Sequence, residues 1–390
     1  MRITRSSLVV AIVAGCSFSM SGQLNAKESI DLTTDLSLYS HNWKKEDGHY
    51  SSNLAGRLDL SASLDTADIG LWKNGRFSTH LVSRFGDANG YDFPILSSPN
   101  AAFYGGTDET FLSAFYYQHS GDDWYMKVGK IDAIELLKEG TFYGGAARSG
   151  FNNISFVAPP SGVTPPAFLG LVSGFSLYDL DWSFMLYDPR DRYSGRGHLK
   201  GAFEDGVNLS LGTTKRMRVF SRETSIGLSG TLSTESGSDL ASLEPDLTFS
   251  ETAQQKYNIR AQLTHDLAGL PTGEGWGLYM RGSVADGNPN YFSGTFTAGL
   301  GGKATFLNRG QDDWGFGYYK NNLSNDFQNA FKHLQLGYEV NDEDGLEAFY
   351  AYNVNKWLSI KGDLQYVSPT LSHYKERFIG SVSFHLSNIW

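Results

Sequence analysis

The sequence predicts an all-β protein, a transmembrane antiparallel up-and-down β-barrel of about 16 strands, an even number within the range such barrels adopt. Three observations predict it. Segments that alternate apolar and polar residues recur along the chain, the connections between them alternate short and long, and the final stretch carries the alternation to a terminal aromatic. In a barrel every second strand residue faces water, so the low mean hydropathy of −0.32 fits a membrane protein of this kind.

The final stretch, Arg377 to Trp390, is the clearest. Phe378, Gly380, Val382, Phe384, Leu386 and Trp390 fall on one face, and Arg377, Ser381, Ser383, His385 and Ser387 on the other. That is the form of a closing strand with lipid outside and water inside. The edge strand of a soluble sandwich would alternate in the same way, so the start of the chain also matters. Arg2 and Arg5 precede the apolar run Leu8–Ala14, and Leu24-Asn25-Ala26 offers a cut site. Residues 1–26 therefore read as a secretory signal and 27–390 as the barrel. Val13-Ala14-Gly15-Cys16 also fits a lipoprotein box, in which Cys16 would be acylated. Cleavage after Ala26 removes the only cysteine, which excludes disulfides and thiolate metal sites. The net charge of −10 becomes about −12 without Arg2 and Arg5, which argues against nucleic acid as a partner.

The strands follow in order. Leu54–Leu64, Trp124–Val128, Tyr257–Leu263, Trp276–Val284, Phe292–Leu300 and Leu358–Tyr366 alternate regularly. Less regular segments start near Ile30, Gly75, Thr110, Ala167, Trp182, Val207, Ser225, Trp314 and Leu346. Short connections fall at 120–123, 178–181 and 353–356, and long ones near 87–109, 132–166, 188–206, 233–255 and 320–345. The stretches 65–75 and 266–275 are long for turns, and 331–340 could add a strand, which would make 18. Trp124, Trp182, Trp276, Trp314 and Trp357 sit at strand starts, as an interfacial girdle would require.

No catalytic signature stands out. Neither G-x-S-x-G nor H-E-x-x-H occurs, and the nine His lack ligand spacing. The runs Gly299–Gly302 and Gly315–Gly317 read as strand glycines rather than a phosphate loop. Ser78 and His80 share a strand face, as a barrel lipase would need, but lumen-lining polar residues explain them as well. No cofactor or metal is expected.

Two features are candidates for function. The long connection 132–166 opens on a short helix, Asp132 to Glu139, that includes Glu135. It continues through Tyr143, Arg148, Phe151, Asn152 and Asn153 to two Pro-Pro pairs. A loop of this length usually has a job. Folded into the lumen it would narrow the channel, with Arg148, Asn152 and Asn153 as hydrogen-bonding groups and Phe151 or Tyr143 as an apolar face. The second feature is inward charge. Arg57, Arg84, Lys127, Arg260 and Arg281 face the polar side, with Asp59, Glu347 and Asp363 of opposite sign. Such rows set a transverse field and donate to hydroxyls, although barrel interiors are polar and salt-bridged in any case.

Four segments resemble the carbohydrate-selective porin family (OprB-type) of Gram-negative outer membranes. They are Trp124–Asp132, the stretch from Phe151–Phe156 through Pro159-Pro160 to Pro165–Gly170, Arg309–Gly317, and the near-terminal Glu347–Tyr350 with Trp357-Leu358 and Leu364–Pro369. The final Trp390 stands where the family usually has Phe, and Lys361-Gly362-Asp363 where Gln-Pro-Asp is commoner. The resemblance implies an outer-membrane channel for passive uptake of glucose-like sugars, without a cofactor. Its partners would be small sugars in the lumen, with outer-membrane lipid and lipopolysaccharide around it, as a monomer or homotrimer. A general or anion-biased porin, a barrel enzyme such as a lipase, and a secreted β-sandwich lectin are the alternatives.

Overall fold

A computed structural model describes residues 30–88, 90–106, 108–140, 148–193, 199–253, 256–268 and 275–388. The expected export signal with Cys16, and also Tyr143 and Trp390, lie outside the described residues. Sixteen strands close into one barrel. The first eight are β1 (Ile30–Lys44), β2 (Tyr50–Asp65), β3 (Gly75–Gly86), β4 (Glu109–Ser120), β5 (Trp124–Asp132), β6 (Ala167–Leu177), β7 (Leu180–Tyr187) and β8 (Asn208–Val219). The rest are β9 (Arg222–Ser233), β10 (Lys256–Asp266), β11 (Trp276–Ala285), β12 (Phe292–Ala304), β13 (Arg309–Leu323), β14 (Glu343–Asn353), β15 (Leu358–Ser368) and β16 (Arg377–Ser387).

Each strand pairs antiparallel with its sequence neighbours, and β16 returns to β1, with Leu38 opposite Phe384 and Ser40 opposite Val382. Closure leaves no edge whose backbone groups lack partners, which a structure in hydrocarbon requires. The alternation sorts the side chains. Leu54, Leu211, Leu232, Ile259, Val284, Phe316, Leu364 and Phe378 are exposed on the outside, a belt that belongs against lipid. Trp276 and Trp314 meet at 5.8 Å, and Trp182 stacks on Phe175 at 6.4 Å, at the short-turn end where the girdle is expected. The tight turns at Tyr178-Asp179 and Phe220-Ser221 hold both central residues at positive φ, the type I′ form that suits the strand twist.

Two stretches differ from the strand pattern. Residues 331–340 add no strand. They begin in the last turn of a helix, Asn325–His333, whose first turn Ser324 caps by accepting the Phe327 N–H. Phe327 and Phe331 are one helical turn apart, so the period there is helical. The long turn after β2 holds a 3-10 turn, Thr66–Ile69, tied by the Thr66 hydroxyl, which donates to Trp72 O (2.5 Å) and Gly75 O (2.9 Å). A β-bulge in β4 moves the register from His80–Ala114 to Leu81–Leu112, leaving Ser113 as the extra residue.

Candidate functional site

Two carboxylates on β14 hold the loops that enter the barrel. Glu343 and Glu347 are four residues apart on an alternating strand, so both point inward. Glu343 accepts the backbone N–H groups of Leu96 (2.6 Å) and Ser97 (3.1 Å). Glu347 accepts those of Asn152 and Asn153, the latter at 2.9 Å. Each carboxylate thus takes two consecutive donors of one loop. The loops also bind each other, through Ala101 N–H to Asn152 O (2.7 Å) and Ile154 N–H to Ser98 O (2.9 Å). Asn321 of β13 donates to both Ser97 Oγ (2.6 Å) and Ser155 Oγ (3.0 Å).

The loop after β5 starts on α1 (Ala133–Gly140). Asp132 caps it by accepting the N–H groups of Ile134 (2.9 Å) and Glu135 (3.2 Å). Further on lies a single turn, α2 (Ile154–Val157), capped by Asn153 Oδ1 on the Ser155 N–H (2.9 Å). Arg281 of β11 donates to the carbonyls of Ser155 and Phe156 (both 3.0 Å), which the turn leaves unsatisfied. Lys361 of β15 donates to Gly150 O (2.8 Å) and Asn152 Oδ1 (2.6 Å).

The apolar contact of this loop rests on bare backbone. Phe151 and Phe156 stack with centroids 4.1 Å apart, and Phe349 and Tyr319 meet them edge-on. A Cβ added at Gly315 would lie 3.0 Å from the Phe151 ring, and one at Gly317 2.5 Å from the Phe156 ring. The glycine runs of β12 and β13 are therefore a flat seat for two aromatic rings.

A charge network joins β1–β4 to the same loops. Arg57 makes a buried ion pair with Asp59 (2.8 Å) and donates to Ala102 O (3.0 Å) and Tyr193 Oη (3.3 Å). Burial pushes the Tyr193 phenol up to about 12, so it stays protonated. Arg84 binds Glu109 and Tyr104 O. Arg148 bridges Asp35 (2.9 Å) and Asp59. Burial opposes the Arg148 charge, but Asp59 and then Asp35 outweigh it, and the guanidinium is held charged above its usual range. His80 lies 2.8 Å from Asp59 and 3.3 Å from Ser113 Oγ. This is a hydroxyl–imidazole–carboxylate row, but Ser113 has no exposed surface, and its hydroxyl donates to Asp132 at 2.5 Å. Among the described residues no cluster of three or more His, Cys, Asp or Glu could hold a metal ion.

The two halves of the lumen differ. Inward residues of β11–β16, including Tyr279, Thr297, Tyr319, Asp363 and Ser381, are buried beneath the loops. On β7–β10 the inward residues Ser183, Gly227, Ser229, Arg260 and Gln262 keep exposed surface, while Tyr187, Asn208, Ser210 and Asn258, nearer the long loops, are buried. A space of about 1020 Å³ opens at the short-turn end beside Arg76, Tyr125 and Lys127. A smaller cavity of about 220 Å³, lined by His80, Asp132, Glu135 and Lys127, lies beneath α1.

Several expected contacts need correction. Phe151, Asn152 and Asn153 are 0% exposed, so none meets a molecule in the lumen. They clamp the loop to the wall, because their polar groups found partners on β13–β16 and the rings found glycine. Arg57 and Arg84 are each 2% exposed and fix loops rather than face the channel. Arg281 and Glu347 are likewise occupied by loop backbone. Arg148, Glu135 and Arg260 keep exposed surface. Sequence reasoning missed Glu343, Lys361, Ser97 and Asn321. Glu343 was detectable, since it is in phase with Glu347.

The profile of the carbohydrate-selective porin, OprB family, matches residues 177–371, half of the chain. A comparison with curated proteins finds no match. Among solved structures, the high-pH structure of Pseudomonas putida OprB is similar, with a TM-score of 0.76 at 16% identity, covering 92% of this chain and 94% of that one. Its low-pH structure has a TM-score of 0.57 at 14% identity, covering 92% and 93%. Pseudomonas aeruginosa OccK2 (OpdF) in complex with glucuronate has a TM-score of 0.50 at 11% identity, covering 93% and 100%. At such identities the structural likeness bears on the fold, and it agrees with the closed 16-strand barrel. The profile match on this barrel identifies the chain as a member of the carbohydrate-selective porin family, OprB type.

Proposed function

We propose that the lumen bounded by β5–β10 is the diffusion path for monosaccharides such as glucose, and that loops 87–108 and 148–166 narrow it by filling the opposite half. The protein is an outer-membrane porin for carbohydrates by family. The observation that carries the finer reading is the contrast between the halves, buried under the loops on β11–β16 and accessible on β7–β10 from Ser183, Ser229 and Arg260 toward the short turns. Arg148 and Glu135 stand at the border of the path, and Tyr125 and Lys127 at its wider end. No chemical step is assigned. Export by a signal cleaved after Ala26, giving a mature start at Lys27, completes the reading, and mass spectrometry of the purified protein tests it.

Sugar binding in a channel stays weak, because a tightly held solute does not leave. Millimolar half-saturation, on the order of 4 kcal/mol, is expected. Glucose added to single channels in a planar bilayer should reduce the current in a saturable way. Current that is indifferent to glucose would leave a general porin.

A further inference from the structure

The inward cations that meet the loops are committed, and Arg260 is not. Arg57, Arg84 and Arg148 pair with carboxylates, and Arg281 and Lys361 bind loop carbonyls. Arg260 donates only its Nε, to Ser229 Oγ at 3.1 Å, and its two terminal nitrogens have no partner among the described residues. The ionisable groups acting on it are Arg281, Tyr279 and Tyr187, none of them a carboxylate. Among the described residues no carboxylate is paired with Arg260, which keeps exposed surface in the lumen, whereas Arg281 is buried against the loop.

Arg260 stands in a polar row. Across the sheet it is opposite Ser229, Ser229 is opposite Gly212, and Gly212 is opposite Ser183. All four face inward. The glycine matters: a Cβ at Gly212 would lie 2.6 Å from Ser183 Oγ and 3.2 Å from the Ser229 Cβ. The Ser183 hydroxyl lies over the bare Gly212 backbone, in the place a side chain would take, with Ser229 beside it and the Arg260 guanidinium beyond. A planar fork of N–H donors matches a carboxylate, and neighbouring hydroxyls match a polyol chain.

We propose that this cradle, Ser183–Gly212–Ser229–Arg260, binds the carboxylate form of a monosaccharide, so that the channel prefers sugar acids to neutral sugars. The inference rests on the diffusion path proposed above.

The test uses the full chain in planar bilayers, with gluconate and glucose as probes. Wild type should be half-blocked by gluconate at a concentration about tenfold below that for glucose, the gain expected of one charge-assisted contact. Arg260→Gln should bring that preference down to about one, and Arg260→Lys should keep part of it. Gly212→Ala should weaken gluconate block by displacing the Ser183 hydroxyl. Migration of each variant as an unboiled barrel in SDS gels checks folding. Glucose block without gluconate preference, or a preference that survives Arg260→Gln, overturns the cradle but not the path. Absence of block by either sugar overturns both.

Discussion

Phe151→Ala should release the loop that fills half of the lumen. The ring is fully buried, stacked on Phe156 at 4.1 Å and seated on the backbone of Gly315 and Gly317. Truncating a buried Phe costs about 3–5 kcal/mol, and the cost is largest where neighbours cannot move into the space. Here the floor is glycine in a paired strand, which has no side chain to move. The loss falls on the loop-in state alone, because the barrel ladder does not use this ring. At about 1.4 kcal/mol per factor of ten, the population of loop-out states should rise roughly 10²- to 10³-fold. Single-channel recording should then show brief visits to a higher conductance level. Gly317→Leu should do the same from the wall side, since a Cβ there would already lie 2.5 Å from the Phe156 ring. A Phe151→Ala channel that folds as a barrel, with wild-type conductance and noise, would refute the reasoning and place the restriction elsewhere.

Deleting 140–155 should raise mean conductance and abolish glucose block, and a deletion that leaves both unchanged would mean the loop does not narrow the path. Glu347→Ala removes the acceptor of two buried N–H groups, each contact worth about 1.5–3 kcal/mol if the carboxylate is charged, and should raise current noise with the barrel intact. Arg148→Gln leaves Asp35 and Asp59 less compensated, so the reversal potential in a salt gradient should move toward cation selectivity. Unboiled protein should migrate faster than boiled protein in SDS gels, because the closed ladder resists detergent, and solubility without detergent would contradict a membrane barrel.

Alternation by itself determined the class of this protein. A period of two with one apolar face is a property of each short segment, so Leu54–Leu64 or Arg377–Ser387 announces its lipid and water faces without reference to any other part of the chain. The number of strands followed from the same local signal, which left open only 331–340, a stretch that begins in the last turn of the helix Asn325–His333 and adds no strand. The inward set was also legible by parity, including Arg57, Arg260 and Glu347. What parity could not supply was the partner of each inward group. Phe151, Asn152 and Asn153 looked like ligand contacts because polar and aromatic residues in a long loop suit both a sugar and a barrel wall. The choice was made by residues some 200 positions away, Glu347, Lys361, Gln365 and Ser381, which took their hydrogen bonds. The glycines of β12 and β13 likewise carried no visible purpose until two rings from the loop settled on them. Satisfaction of a buried group depends on what lies within about 3 Å in space, which no local pattern encodes. Arg260 shows the converse. Its type and face were plain in the sequence, and only the tertiary structure, which binds Arg57, Arg84, Arg148, Arg281 and Lys361 to the loops or to carboxylates, left its terminal nitrogens without a partner among the described residues.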